Sequence, residues 1–297
     1  MENVLEIVDL KKKFKGFELN VKELNIPKGF ATALIGENGA GKSTLLNILA
    51  GIRVDYKGHI RYFGKYEDGD RDKEEYRVRE NIGYTGPGGV FLPHWTAKEV
   101  AEVSEILFEG FHRDRFEQLC SDLAISTTQD KSKKFSALSD GNKMKMVLAA
   151  AFARDTSLLI MDEPASPLDP LMRDKLCCMI REYLAEEEGE RSVLFSTHNI
   201  SDMENVTDYA IIMEHGKIVE QGFVEDLKEK YILVKGNAED AARARKVLYS
   251  ITANKYGFEG ICLADRLDEL AGLNVEAETP TLFQISVAIM KQNTVIR

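Results

Sequence analysis

At 297 residues the chain can bury a sizeable core, and it reads as one large domain with a smaller appendage. Its 39 Lys and Arg against 49 Asp and Glu give a formal charge of −10, which excludes a general nucleic-acid surface, since that needs clustered cations to displace counterions. No apolar run is long enough to cross a bilayer, Met1-Glu2-Asn3 does not open a signal peptide, and Cys120, Cys177, Cys178 and Cys262 lack C-x-x-C spacing, so a soluble chain in the reducing cytosol is expected.

Leu5, Ile7 and Val8, then Phe17, Leu19, Val21, Leu24 and Ile26, alternate as half-buried strands up to the turn Pro27-Lys28-Gly29, so a small sheet comes first. Lys11-Lys12-Lys13 reads as a solvated strand end. Ala31 to Ile35 is a short apolar strand that runs into Gly36-Glu37-Asn38-Gly39-Ala40-Gly41-Lys42-Ser43, the G-x-x-x-x-G-K-[ST] pattern, and Thr44 to Ala50 follows as a helix. Strand, glycine loop and helix N-terminus in that order make a phosphate cradle. Glycine permits positive φ and lets bare N–H groups approach the phosphates, and the helix end adds partial positive charge. Lys42 then serves as a point charge on the β- and γ-phosphates, and the Ser43 hydroxyl as a ligand of Mg²⁺. A nucleoside triphosphate is the expected ligand, contacted by Gly36, Asn38, Gly39, Ala40, Gly41, Lys42, Ser43 and Thr44.

Gly51 closes the first helix, His59 to Gly64 gives a strand and turn, and the mixed-charge stretch from Lys65 to Glu80 reads as an exposed loop and hairpin before the strand Asn81 to Tyr84. From Thr96 to Asp122 the pattern is helical, with Val100, Val103, Ile106 and Leu107 on one face, and a strong helix spans Lys143 to Arg154. Leu158 to Met161 and Ser192 to Ser196 are further apolar strands, ending in Asp162-Glu163-Pro164 and Thr197-His198. Strands separated by helices predict a parallel sheet whose functional residues gather outside the strands' carboxyl ends, so Gly36, Asp162, Glu163 and His198 can meet at one edge. There Asp162 is expected to hold the Mg²⁺ shell and Glu163 to accept a proton from the attacking water. Beyond Gly222, Tyr231 to Val234 reads as a strand, Ala238 to Leu248 as a helix and Gly260 to Leu263 as a strand. A last amphipathic helix is expected to open with Thr279 as N-cap and Pro280 at its first position.

Over about residues 3–222 these residues resemble the ATP-binding subunits of ABC transporters. Leu138-Ser139-Asp140-Gly141-Asn142 is similar to that family's signature, normally L-S-G-G-Q, with Asp140 and Asn142 departing from it. The resemblance implies that Ser139 and Gly141 contact the γ-phosphate bound by the opposite subunit. Ala165-Ser166-Pro167-Leu168-Asp169 resembles the D-loop of the dimer seam, with Pro167 unusual, and His198 resembles the switch histidine of the γ-phosphate. Phe14 falls where the family stacks an aromatic ring on adenine, although a lone aromatic equally suits a core. Where the family places a Gln near the metal and water, this chain has Pro87, which offers neither a side-chain acceptor nor an N–H. Slow hydrolysis, or another group completing the metal shell, is the alternative outcome.

The resemblance implies an α/β fold: a P-loop NTPase parallel-sheet core with an N-terminal antiparallel β subdomain, a helical insert at about 90–153, and a small C-terminal α/β appendage. Residues 1–222 would be the ATP-binding domain and 223–297 an accessory domain. It further implies ATP and Mg²⁺ as cofactors, hydrolysis by Lys42, Glu163 and His198, and a homodimer, or a heterodimer with a related subunit, closed around ATP. The driven partner would be an integral membrane transporter subunit of exporter type, holding the chain on the cytoplasmic face of the cell membrane, with no nucleic acid involved. A GTPase is rejected because Asn254-Lys255-Tyr256-Gly257 has Gly where the guanine reader needs Asp. A soluble relative acting on ribosomes or DNA, and an ATP-binding regulatory subunit with little turnover, stay open.

Overall fold

The computed structural model describes residues 2–67, 75–86, 90–125 and 132–293. Its strands begin β1 (Asn3–Phe14), β2 (Phe17–Pro27), β3 (Ala31–Ile35), β4 (Lys57–Tyr62), β5 (Tyr66–Glu67), β6 (Ile82–Thr85) and β7 (Leu158–Met161). They continue β8 (Ser192–Thr197), β9 (Tyr209–Glu214), β10 (Lys217–Phe223), β11 (Tyr231–Gly236), β12 (Tyr249–Ala253), β13 (Phe258–Leu263) and β14 (Val275–Glu278).

Every residue of β3, β7 and β8 is buried, as expected of strands covered on both faces. They lie inside a six-stranded sheet of order β10-β9-β3-β8-β7-β6, parallel from β9 to β6, with β10 antiparallel at its edge. Alternation along the strands divides two cores. Leu34, Leu158, Ile160 and Leu194 join Leu5, Ile7 and Leu24 of the antiparallel sheet β2-β1-β4-β5 and Leu45 and Leu49 of the Lys42–Leu49 helix. On the other face Ala33, Met161 and Phe195 pack with Val147 and Phe152 of the Asp140–Phe152 helix and Ile180 and Tyr183 of the Pro170–Ala185 helix. That second core also takes in Val224, Leu233, Ile261, Leu282 and Ile285, while Val234, Val247, Phe258 and Cys262 form a smaller cluster inside the third sheet, β12-β13-β11-β14.

Several expectations are corrected. The helical pattern of Thr96 to Asp122 is two helices, Ala97–Leu107 and Arg113–Asp122, because the chain between them turns at Glu109-Gly110 and Phe111 bridges to Arg154. Residues Glu75–Glu80, expected in a loop, are helical. The helix expected over Ala238 to Leu248 shrinks to Ala241–Ala244, since one turn already turns Ala244, Val247 and Leu248 toward the small cluster. The last helix is Leu282–Asn293 and its cap is Thr281, not Thr279: the Gln284 N–H donates to Thr281 Oγ1 (3.2 Å) and the Thr281 N–H to Gln284 Oε1 (2.9 Å). Thr279 is unsuited because β14 runs extended through Glu278, paired to Leu233, and Pro280 therefore precedes the cap. β9, β10, β12 and β14 were not anticipated, although the apolar run Ala210 to Met213 is a strand signal.

Candidate functional site

β3, β8 and β7 lie side by side and point the same way; Ile35 is opposite Thr197, so β3 and β8 end level, and Met161 is opposite Phe195, so β7 ends two residues before them. The residues that follow, Gly36, His198 and Asp162-Glu163, are thereby brought to one edge.

The glycine loop has the backbone that its sequence requires. Gly39 and Gly41 have φ of +87° and +107°, and Gly41 caps the Lys42–Leu49 helix. A Cβ at Gly36 would lie 2.4 Å from the Met213 carbonyl oxygen, so β9 packs where a side chain would stand. Lys42 is 5% exposed, and its Nζ donates to the carbonyl oxygens of Gly36 (2.7 Å) and Glu37 (3.2 Å). Asn38, Gly39 and Ser43 are exposed, Thr44 is half-buried, and Ala40 is buried with its carbonyl accepting from the Gly216 N–H (2.8 Å). The loop rim is open to an anion while its base is fixed to the sheet.

Asp162 is 1% exposed. Ser196 Oγ donates to its Oδ1 (2.5 Å) and accepts from the Glu163 N–H (2.9 Å), and the Asp162 N–H donates to the Thr85 carbonyl (2.8 Å). No motif marks Ser196 as a site residue; its one sequence signal is its place two residues before His198 on the strand next to β7. Glu163 has φ +51°, a left-handed backbone that a β-carbon disfavours. One carboxylate oxygen, Oε2, lies 2.7 Å from His198 Nδ1; the other, Oε1, faces Lys42 Nζ at 3.3 Å as an ion pair without hydrogen-bond geometry. Lys42, Glu163 and His198 thus form one chain of contacts, with His198 at its open end. Tyr84, also missed, donates its hydroxyl to Asn47 Oδ1 (2.9 Å), and its phenol is pushed up to about 12, first by burial and then by the charge of Asp162. A nearly dry carboxylate and an exposed hydroxyl on a helix's first turn, Asp162 and Ser43, are hard oxygen donors of the kind Mg²⁺ takes alongside phosphate and water.

Ser139 caps the Asp140–Phe152 helix, its Oγ accepting from the Asn142 N–H (3.3 Å). A Cβ at Gly141 would lie 3.1 Å from the Pro167 carbonyl, so this turn is seated on the Ala165–Asp169 loop. Among the described residues no hydrogen bond joins Ser139 or Gly141 to Lys42, Asp162, Glu163 or His198. A cavity of about 760 Å³ is lined by Asn38, Glu163 and His198 together with Asp140, Lys143 and Met144 of the helix that Ser139 caps. Phe14 is 40% exposed, which removes the core alternative; its ring lies 6.1 Å from that of Phe17, under the cations of Lys12 and Arg53. Pro87 lies outside the described residues.

The sequence profile of the family described as ABC transporter matches residues 19–166. The chain is 31% identical over 231 residues to the uncharacterized ABC transporter ATP-binding protein YxlF of Bacillus subtilis, covering 76% of this chain and 73% of that one. It is 30% identical over 239 residues to the human ATP-binding cassette sub-family A member 6, where the match covers 77% of this chain and 14% of the relative's length. A solved structure of the ATP-binding subunit of an ABC transporter superposes with a TM-score of 0.64 at 25% identity, over 76% of this chain and 92% of that one.

Proposed function

The chain belongs to the ABC transporter family as an ATP-binding cassette, within a family of ATPases, and from that premise we propose that it hydrolyses ATP to power a separate membrane-spanning subunit. The observation that carries this reading is the contact chain Lys42–Glu163–His198 at the edge of the parallel sheet. The Gly36–Thr44 loop receives the phosphates through its backbone N–H groups, and Lys42 exchanges its ion pair with Glu163 for the β- and γ-phosphates. Glu163, released, accepts a proton from the attacking water, and His198 turns its ring to the γ-phosphate. Ser43 and Asp162 would hold Mg²⁺, which neutralises phosphate charge when bound.

Ser139 and Gly141 stand apart from this group, which supports a site finished by the Ser139 turn of a second copy or of a related subunit. Phe14, exposed near the loop, takes the adenine ring. Residues 1–222, with the insert at about 90–153, act as the ATP-binding body and 223–297 as an accessory region. Export is the proposed direction, and the membrane partner holds the chain at the inner face of the membrane.

Purified chain is expected to hydrolyse ATP, and Glu163→Gln to cut turnover by about a hundredfold or more while trapping an ATP-dependent dimer on size-exclusion chromatography with light scattering. Equal turnover in variant and parent would remove Glu163 as the base. A chain that binds ATP without turnover would be the regulatory subunit that Pro87 permits. Capture from mild-detergent membranes is expected to bring down an integral membrane protein; ribosomes or DNA in its place would redirect the reading.

A further inference from the structure

We propose that Arg173 and Asp202 are positioning residues that tie the Ala165–Asp169 loop to the segment carrying His198, so that the seam loop and the histidine move as one unit. The role in turnover rests on the ATPase reading above; the mechanical tie does not.

Arg173 stands in the first turn of the Pro170–Ala185 helix, which Asp169 caps by accepting from the Met172 N–H (3.1 Å). A cation there opposes the positive end of the helix, so helix stability does not explain its place. Its partners do. Arg173 Nε donates to the carbonyl oxygens of Ala165 (3.2 Å) and Leu168 (2.9 Å), and Nη1 pairs with Asp202 Oδ1 at 2.8 Å. The fork therefore holds the loop by its backbone with one nitrogen and reaches across to another segment with a second.

Asp202 completes the span. Its other oxygen, Oδ2, accepts from Asn199 Nδ2 (3.0 Å), and the Asn199 N–H donates to Thr197 Oγ1 (3.0 Å), so the residues on either side of His198 are both held. On the far side the Ser166 N–H donates to the Glu163 carbonyl (3.2 Å), and Glu163 returns to His198 through the 2.7 Å contact. The contacts form a closed circuit: Glu163, the loop, Arg173, Asp202, Asn199, His198 and back to Glu163. Both ion-pair side chains are less than a third exposed, at 28% and 22%, so water weakens the pair less than it would at the surface. A displacement of the loop by a second copy would be passed to His198 through this pair, and a ring turn of His198 would be passed back.

The test uses full-length Arg173→Met, which keeps the side-chain stem, Asp202→Asn, which keeps the shape, and the double variant. Hydrogen exchange read by mass spectrometry is expected to rise at residues 165–169 in Asp202→Asn, although Asp202 touches none of them, and at 198–202 in Arg173→Met. A rise confined to each variant's own segment would overturn the tie. In steady-state kinetics kcat is expected to fall about tenfold with KM for ATP changed less than about twofold, the signature of lost positioning rather than lost binding. The double variant is expected to be no worse than the worse single one, because the two residues act through one contact. Unchanged kcat or additive losses would refute the coupling to turnover. If the parent itself fails to hydrolyse ATP the ATPase reading fails, and the exchange pattern alone then decides whether the tie exists.

Discussion

The Ser196 hydroxyl sits between the functional ends of two strands, donating a hydrogen bond to buried Asp162 and accepting one from the Glu163 N–H. A carboxylate 1% exposed has little water to replace a lost donor, so its geometry depends on this one group. Ser196→Ala is expected to lower stability by about 1–3 kcal/mol, read as a shift of the urea midpoint at unchanged slope. An unshifted midpoint would mean that Asp162 finds another donor. Neither Ser196 nor Tyr84 belongs to a motif, and register alone, Met161 against Phe195 and Thr85 against Met161, sets them beside Asp162. Lys42, Asp162, Glu163 and His198 were legible because each follows a strand that its own apolar run announces.

At the scale of elements, the helical insert is fastened to the sheet by Arg154, just beyond the Asp140–Phe152 helix. Its guanidinium donates to the carbonyl oxygens of Ile82 (3.1 Å), Arg79 (3.3 Å) and Glu80 (2.9 Å) and lies 3.6 Å from the Phe108 ring centre. Burial is so complete that it brings the group down to about 10. Arg154→Met leaves those carbonyls without their donor and is expected to cost about 3 kcal/mol, measured by chemical denaturation, with a loss below about 1 kcal/mol arguing against the fastening. Caps behave differently. The Thr96–Glu99 capping box forms, with Thr96 N–H to Glu99 Oε2 at 2.7 Å, and Thr281 caps the last helix in the same style with Gln284. Thr281→Ala is expected to cost about 1 kcal/mol and Thr279→Ala much less, compared by thermal unfolding. Cap chemistry is local, yet the choice between Thr279 and Thr281 was made by where β14 stops pairing.

For the whole molecule, four wholly or partly buried phenols govern how stability changes at alkaline pH. Tyr84 is pushed up to about 12 from an ordinary 10.0, and Tyr183, Tyr209 and Tyr231 are also raised, each chiefly by burial. Above pH 10 the unfolded chain gives up these protons while the folded chain keeps them, so the folded state binds more protons and stability falls as pH rises. Their stabilising contribution is fully present below pH 10 and is lost as pH passes through the raised folded values. Arg154, lowered to about 10, acts in the opposite sense but is one group against four. Urea midpoints between pH 9 and 12 are expected to decline, with a shallower decline in Tyr84→Phe and Tyr183→Phe. Midpoints rising over that range would contradict the sign.

The sequence by itself determined the phosphate loop, the carboxylate pair and the parallel strands that carry them, because glycine freedom, strand hydrophobicity and helix-end charge are local properties of short segments. It also located the Ser139 turn, through its resemblance to the family signature, while the helix start at Asp140 and the Ser139 cap came from the structure. Tertiary structure alone decided which groups touch: the Lys42–Glu163–His198 chain, the Ser196 clamp, the exposure of Phe14 and the Arg173–Asp202 tie. Those contacts join residues far apart along the chain, and their distances follow from strand order and register rather than from spacing in sequence.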